Sequence, residues 1–161
     1  MAKEKDVKTN VMRVLEQTKI SYTAHTYPAD GPTDGVSVAN YLSQDVEQVF
    51  KTLVTKAASG TYYVFDIPVA ENLDLKKAAK AVGEKSIAMI HQKELLPLTG
   101  YVHGGCSPVG MKKQFHTVFH ETVILFDTIC VSAGRIGAQV EVAPGDLIRL
   151  LGADTADVVA D

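Results

Sequence analysis

The segment FKTLVTKAASGTYYVFDI, residues 50–67, decides how the chain folds. Two runs rich in β-branched and aromatic residues, 50–56 and 61–67, flank the turn residues Ala58, Ser59 and Gly60. Strand-forming runs separated by a short turn that contains glycine are typical of a β-hairpin. We therefore predict a hairpin near the middle of the chain, around which a larger sheet is built.

Sequence patterns on both sides of the hairpin predict further helices and strands. Before it lie an amphipathic helix with Val7, Val11, Val14 and Leu15 on one face, a strand at 20–27 and a short helix that ends near Ser43. After it lie a helix that Asn72 or Asp74 caps and Gly83 ends, short strands at 86–90 and 117–121, a buried strand pair or bent strand at 123–131, a strand at 139–142 and a helix at 144–151. Helices and strands do not alternate regularly, so we predict an α+β fold with a mixed sheet.

Length and composition indicate one compact domain. The 161 residues carry a formal net charge of −3 and contain no repeat or long linker, so we predict a single domain over residues 1–161. No apolar run approaches the roughly 20 residues that span a bilayer, and the polar N-terminus lacks the apolar centre of a signal peptide. We therefore expect a cytoplasmic protein without membrane contact, in which Cys106 and Cys130 are reduced thiols. The acidic balance argues against a free-standing, tight nucleic-acid binder, but it allows a local and weak contact with a polyanion.

A glycine-rich segment, GYVHGGCSPVGMKK at residues 100–113, is the strongest candidate for a binding loop. Its glycines at 105 and 110 have the spacing of a phosphate loop, but the Lys-Ser/Thr pair is missing and Pro108 has no amide hydrogen, so we reject that assignment. Cys106 as a nucleophile would need a base and a group that stabilises its thiolate; we favour a small side chain that fills a tight turn. Gly104 and Gly105 allow a ligand to approach the backbone, whose successive amides can bind an anion.

Neither the histidines nor Lys51 indicates a function by sequence alone. His116 and His120 lie near Glu121, but they form no recognised zinc motif and no Cys-x-x-Cys pair supplies further ligands, so we predict no metal and no cofactor. Lys51 lies between Phe50 and an apolar pair in a predicted strand. The ordinary interpretation is a lysine whose stem lies along the surface while its ammonium group reaches water.

Five segments, in this order, resemble the YbaK/EbsC family of trans-editing aminoacyl-tRNA deacylases, which is related to the editing insertion domain of bacterial prolyl-tRNA synthetases. They are FKTLV at 50–54, NLDLKKAAKAVG at 72–83, GYVHGGCSPVGMKK at 100–113, VSAGRIG at 131–137 and EVAPGDLIRLLGA at 141–153. The lysine–threonine strand and the glycine-rich segment are the most specific of these. The resemblance covers nearly the whole chain from residue 20 onward. It implies one compact domain with a barrel-like mixed sheet and helices packed on its outside.

The same resemblance assigns candidate site residues. It implies that Lys51 and Gly105 are catalytic, and that the substrate is bound by Tyr27, Thr52, Gly104, Cys106, Ser107, Pro108, Ser132 and Asp146. Two segments differ from the cysteine-specific members of the family. Their pocket phenylalanine aligns near Asp34, and their Gly-Gly-Lys-Arg-Gly run corresponds to residues 133–137 here. Alanine or another amino acid is therefore an alternative editing target.

The implied reaction removes a wrongly attached amino acid from tRNA, best known in this family for cysteine on the proline tRNA. The thiol of the substrate attacks its own ester carbonyl and forms a thiolactone, so no enzyme nucleophile is needed, and the protein positions the substrate and stabilises the oxyanion. The expected partners are the acceptor end of aminoacyl-tRNA and prolyl-tRNA synthetase. The alternative from a different class is a binding or regulatory module that holds the same tRNA end without cleaving it.

Overall fold

The computed structural model describes residues 8–161, and in this range it contains five α-helices and eight β-strands. The helices are α1 (Asn10–Gln17), α2 (Gly35–Tyr41), α3 (Leu75–Val82), α4 (Gln92–Thr99) and α5 (Pro144–Leu151). The strands are β1 (Tyr22–Thr26), β2 (Phe50–Ala57), β3 (Tyr62–Pro68), β4 (Ile87–Met89), β5 (His116–His120), β6 (Ile129–Ser132), β7 (Ala138–Val142) and β8 (Asp154–Ala156). A 3₁₀ helix at Glu121–Leu125 lies between β5 and β6.

The predicted hairpin is confirmed and lies at the centre of a five-stranded sheet. Strands β2 and β3 pair in antiparallel register, with Lys51 opposite Ile67 and Thr52 opposite Asp66. The strand order is β4-β2-β3-β5-β8, in which β3 with β5 and β5 with β8 are parallel pairs. The sheet is therefore mixed, and the α+β prediction is confirmed.

A second sheet of three strands, in the order β1-β7-β6, is antiparallel throughout. The two sheets meet at an isolated bridge between Val49 and Cys130, where the amide of Cys130 donates to the carbonyl oxygen of Gln48 at 3.0 Å. Within residues 8–161, no strand ladder closes the sheets into a barrel. The barrel-like closure stays a prediction.

Two of the three hydrophobic clusters in residues 8–161 contain most of the buried apolar side chains. The larger cluster contains residues of both sheets together with α1, and its members include Leu15, Val64, Phe119, Val131 and Val140, all less than 2% exposed. The smaller cluster packs α3 against the five-stranded sheet through residues that include Phe65 and Ala78. Because burying a large apolar side chain contributes about 1.5–3 kcal/mol, these clusters dominate the stability of the fold.

Helix ends follow the predicted capping residues. Asp74 caps α3 by accepting hydrogen bonds from the amides of Lys76 and Lys77, and Gly83 ends it with a φ of 73°. Gly152 ends α5 in the same left-handed conformation. The first helix begins at Asn10, where Thr9 caps it, and Val7 of the predicted apolar face lies outside the described residues.

The run 123–131, predicted to be a strand pair or a bent strand, begins instead in the 3₁₀ helix. Val123 is buried, but Ile124 and Leu125 are 69% and 75% exposed. The apolar run therefore does not alternate between two faces as a half-buried strand would. Its C-terminal part enters the smaller sheet as the start of β6.

Neither α4 nor β8 is evident from the sequence. Pro97 lies inside α4, where a proline normally removes a helix hydrogen bond. The helix forms because Glu94 accepts from the amide of His91 at 2.9 Å and because Leu95 and Thr99 are buried. β8 is three residues long and is defined by its pairing with β5.

No helix in residues 8–161 is both long and apolar enough to cross a membrane. Cys106 and Cys130 are both free cysteines, and their reduced state stays a prediction.

Candidate functional site

We call residues 103–108 the glycine loop. A cavity of about 360 Å³ is lined by β2, the loop before α2, the ends of β6 and β7, and part of this glycine loop. Its volume lies in the range of small-molecule sites. Val38, Val49, Phe50, Leu53 and Val69 supply apolar surface, and the polar groups belong to Tyr27, Thr33, Asp34, Lys51, Thr52, His103, Cys106, Ser132 and Gln139. Such a mixture suits a ligand that has both an apolar part and hydrogen-bonding groups.

Within residues 8–161, the N-terminal half of β2 lacks a ladder partner on one side between Val49, which bridges to Cys130, and Thr55, where pairing with β4 begins. β4 pairs with β2 at residues 55–57. The amide of Val69 donates to Val49 and the amide of Ala57 donates to Thr61, both at 2.8 Å, so odd-numbered residues of β2 bond to β3. In an antiparallel pair the intervening residues direct their N–H and C=O groups to the other side. The main chain of Thr52 is therefore directed towards the edge that β4 leaves uncovered.

Lys51 lines the cavity from this open half of β2. Its side chain is half-buried, and desolvation lowers the pKa of its amine, an effect that the nearby Glu71 carboxylate partly offsets. A cation that is partly removed from water interacts more strongly with a nearby negative charge than one on the surface does. The sequence-based interpretation as an ordinary surface lysine therefore does not fit its environment, whereas a lysine that faces a ligand does.

Thr52 is held by a buried carboxyl group that was not among the predicted site residues. The hydroxyl of Thr52 donates to Oδ1 of Asp66 at 2.5 Å, and Asp66 is 0% exposed. Burial raises the pKa of Asp66 to about 7, and the hydrogen bond from Thr52 opposes this shift. The signal in the sequence is a lone acidic residue inside TYYVFDI, an otherwise apolar strand.

The glycine loop packs tightly against the turn that follows β6. Gly104 has a φ of 88°, in the left-handed region, and the amide of Gly105 donates to the carbonyl oxygen of Val102 at 2.9 Å. A Cβ on Gly105 would lie 2.9 Å from the backbone nitrogen of Ile136 and 3.0 Å from Arg135. Gly105 is therefore required for close backbone packing, and its amide already has a main-chain partner in Val102, the residue before the loop.

Cys106 lines the cavity, but its environment disfavours the thiolate. Burial and the charge of Asp66 raise the pKa of its thiol to about 12. A catalytic cysteine requires the opposite shift, because the thiolate is the nucleophile. The raised pKa agrees with the prediction that Cys106 is a small side chain that fills a tight turn.

The structure brings together most, but not all, of the predicted site residues. Six of them line the one cavity: Tyr27, Lys51, Thr52, Gly104, Cys106 and Ser132. Ser107 and Pro108, at the C-terminal end of the loop, are buried and are not among the residues that line the cavity. The Ser107 hydroxyl accepts from the amide of Val109 at 3.3 Å. Asp146 lies in the first turn of α5, forms an ion pair with Arg149 and is not among the residues that line the cavity.

Asp34, near which the resemblance aligns the pocket phenylalanine of the cysteine-specific members, lines the cavity. Its carboxylate caps α2 by accepting from the amide of Ser37 at 2.9 Å and from its hydroxyl at 2.7 Å, and these bonds lower its pKa. The next residue, Gly35, packs against Val69 so closely that a Cβ would lie 2.4 Å from a methyl carbon. A larger residue at position 35 would therefore displace this wall of the cavity.

The histidines considered as metal ligands form hydrogen bonds to other protein groups. His116 pairs with Asp154 at 2.6 Å, and Nδ1 of His120 accepts from the amide of Val158 at 3.3 Å. In residues 8–161 one group has ligand atoms close together, namely His25, Cys130 and Glu141, within 4.8 Å. His25 and Glu141 already bond to each other at 2.7 Å.

Comparison with known proteins agrees with this geometry. The family model described as the aminoacyl-tRNA editing domain matches residues 33–150. A protein of Enterococcus faecalis, provisionally named a Cys-tRNA(Pro)/Cys-tRNA(Cys) deacylase, EbsC, is 42% identical over 160 residues, which cover 98% of each chain. A solved structure provisionally described as a trans-editing enzyme for prolyl-tRNA synthetase superposes with a TM-score of 0.84 at 25% identity, over 96% of this chain and 99% of that one. A hypothetical protein with a TM-score of 0.85 at 22% identity, over 93% of this chain and 99% of that one, shares the fold.

Proposed function

The chain belongs to the aminoacyl-tRNA editing domain family and is a trans-editing aminoacyl-tRNA deacylase, and from this premise we propose that its substrate is cysteine wrongly attached to the proline tRNA. The observation that carries the proposal is the meeting of Lys51, Thr52 and the glycine loop at one cavity. The name of the Enterococcus faecalis relative supports cysteine as the target.

The chemistry that we propose uses the thiol of the substrate. Its sulfur forms a bond to the ester carbonyl carbon, the bond from that carbon to the ribose oxygen breaks, and the thiol proton passes to the departing oxygen. The products are intact tRNA and a cysteine thiolactone, which water then opens. Proline has no thiol, so correctly charged tRNA survives.

The ring that closes contains four atoms, sulfur, Cβ, Cα and the carbonyl carbon, and it is strained. Well-oriented intramolecular groups reach effective molarities on the order of 10⁵ M or more. Ring strain takes away part of that advantage, so the protein must hold the thiol close to the carbonyl and stabilise the oxyanion. The half-buried position of Lys51 supports a role in countering the negative charge that develops.

The glycine loop supplies candidate oxyanion donors. Because the amide of Gly105 already donates to Val102, we assign the role of donor to the amides of Gly104 or Cys106 and the role of packing to Gly105. One well-placed donor contributes about 3 kcal/mol to the stability of such a transition state. Cys106 takes part through its main chain, and its thiol is a bystander.

The partners follow from the same proposal. The acceptor end of aminoacyl-tRNA is the ligand, and prolyl-tRNA synthetase is the protein partner that the name of the solved relative supports. A net charge of −3 suits a weak tRNA binder that acts on tRNA still held by a synthetase. We also propose that residues 1–161 form one domain and that the protein works in the cytoplasm.

The direct test measures release of labelled amino acid from Cys-tRNA(Pro) and from Ala-tRNA(Pro). We expect wild type to clear cysteine and to leave alanine. Clearance of alanine instead would move the assignment to another editing target. Binding of either tRNA without cleavage would favour the binding or regulatory module, and an inactive Cys106→Ser variant would bring back an enzyme nucleophile.

A further inference from the structure

Asp66 is a buried carboxyl group that the proposed reaction does not use. It lies in the central strand β3, between Thr52 of β2 and Phe119 of β5, and is 0% exposed. Carboxyl groups are rarely buried without a compensating partner. Within residues 8–161 its Oδ1 accepts from Thr52, while its Oδ2 is buried without a hydrogen-bond partner. Because such a group lowers the stability of the fold, its presence needs a reason other than stability.

The groups around Asp66 place it between two walls of the cavity. Thr52 belongs to the β2 wall, and Cys106 of the glycine loop is close enough for the Asp66 charge to raise the pKa of its thiol. The charge of Glu71, by contrast, acts on Lys51, the neighbour of Thr52 in the chain, and raises the pKa of its amine. The groups that interact with Asp66 in residues 8–161 therefore include a hydroxyl and a thiol.

The hydrogen bond between Thr52 and Asp66 determines what the Thr52 hydroxyl can do in the cavity. A hydroxyl has one hydrogen and two lone pairs. When Asp66 is ionised, the hydrogen of Thr52 is donated to it, and the Thr52 oxygen can offer only lone pairs to a ligand. This point of the cavity therefore accepts a hydrogen-bond donor and disfavours a carbonyl or carboxylate oxygen.

We propose that Asp66 is a positioning residue that holds the Thr52 hydroxyl as an acceptor for a donor group of the bound aminoacyl-adenosine end. The inference rests on the proposed function, because such a substrate brings two donors, the α-ammonium group of the amino acid and the free ribose hydroxyl. Both lie next to the ester, so either bond fixes the reacting carbonyl relative to Lys51.

The test compares Thr52→Val, Asp66→Leu, the double variant and Asp66→Asn. Two quantities are measured: kcat/KM for Cys-tRNA(Pro), and Kd for the same tRNA with a non-hydrolysable 3′-amide linkage. We expect each single apolar variant to lower kcat/KM by about 10-fold or more, because Thr52→Val removes the acceptor and Asp66→Leu leaves the Thr52 hydroxyl free to turn its hydrogen towards the ligand. The double variant loses no more than either single one, because both act through the same hydroxyl.

Asp66→Asn is the conservative control. Its amide oxygen can still accept from Thr52, so we expect kcat/KM to stay within about threefold of wild type. Melting curves identify any variant that is not folded. Thr52→Val and Asp66→Asn keep the test decisive even if leucine at position 66 prevents folding.

Two modified ligands separate the donors. We expect the 3′-amide ligand that lacks the donor recognised by Thr52 to bind wild type and Thr52→Val equally. The two ligands carry either a 3-mercaptopropionyl group, which has no amino group, or a 2′-O-methylated terminal ribose, which has no free hydroxyl. Full kcat/KM in folded Asp66→Leu or Thr52→Val would overturn this inference and leave the proposed function standing. A double variant whose loss equals the product of the two single losses would do the same. A wild type that neither cleaves nor binds would overturn the proposed function and the inference with it.

Discussion

Lys51 and Lys56 lie on the same strand and have opposite environments. Lys56 is exposed on the half of β2 that pairs with β4, and its ammonium nitrogen lies 5.4 Å from the centre of the Tyr62 ring. Lys51 is half-buried on the half that β4 leaves open, and desolvation lowers its pKa. Because side chains alternate between the two faces of a strand, Lys51 and Lys56 also point to opposite faces of β2, and the chemistry available to each lysine depends on what lies on its own face.

The largest effect is expected when the two lysines are removed separately. Lys51→Ala should lower the deacylation rate on Cys-tRNA(Pro) by about 100-fold or more, since a charge aimed at the oxyanion is lost. Lys56→Ala is the matched control and should change the rate by less than about twofold, because exposed positions contribute little. Equal losses in the two variants would contradict the distinction between the two halves of β2.

The hydrogen-bonded pair of Thr52 and the buried Asp66 should make the stability of the fold depend on pH. The pKa of Asp66 is raised from 3.8 to about 7, so between these values the folded protein holds a proton that the unfolded chain releases. The free energy of unfolding should therefore fall as pH rises towards 7, by about 2–3 kcal/mol between pH 5 and pH 8 from this group. Denaturant unfolding of wild type and Asp66→Asn measures the difference, and parallel pH profiles for the two proteins would contradict it.

A smaller effect is expected from the glycine loop that faces the open half. Gly105→Ala brings a Cβ to 2.9 Å from the backbone of the turn at Ile136, and such overpacking lowers the free energy of unfolding by about 1–3 kcal/mol. Gly145→Ala is the control, because the nearest atom to its Cβ is a flexible arginine nitrogen at 3.6 Å. Denaturant midpoints compare the two, and equal midpoints would show that the loop does not need the close approach.

The smallest effect is expected at the thiol that lines the same cavity. Cys106→Ser should keep kcat/KM within about twofold of wild type, because a thiol with a pKa of about 12 is not ionised at neutral pH. Treatment of wild type with iodoacetamide near pH 7 offers a second readout and should label Cys106 slowly. Fast labelling together with lost activity would argue for a reactive thiolate.

The sequence predicts the elements whose pattern is local. The hairpin of β2 and β3 follows from two strand-forming runs around a glycine turn, and the ends of α3 and α5 follow from Asp74, Gly83 and Gly152. The 3₁₀ helix and β8 depend on contacts between distant parts of the chain, so their short segments carry no periodic signal. The length of the β4 ladder is also a tertiary feature.

The candidate site was predictable to a similar degree. Lys51 and Thr52 are adjacent in one resembling segment, and the structure places both at the cavity. Asp66 was missed because an acidic residue inside an apolar strand is recognisable as buried only when its neighbours in space are known. Asp146 was assigned by the resemblance, but α5 carries it to an ion pair with Arg149.

The most direct measurement compares Cys-tRNA(Pro) with Ser-tRNA(Pro) under single-turnover conditions with wild-type protein. Serine fits the same cavity with an oxygen in place of sulfur, so the two substrates differ mainly in the group that attacks the ester. Attack by the thiol of the substrate predicts that cysteine is released about 100-fold faster or more, since a well-oriented thiol supplies the effective molarity that the weaker hydroxyl nucleophile does not. Equal release from both tRNAs would contradict thiol-assisted editing and would require that the protein activate water.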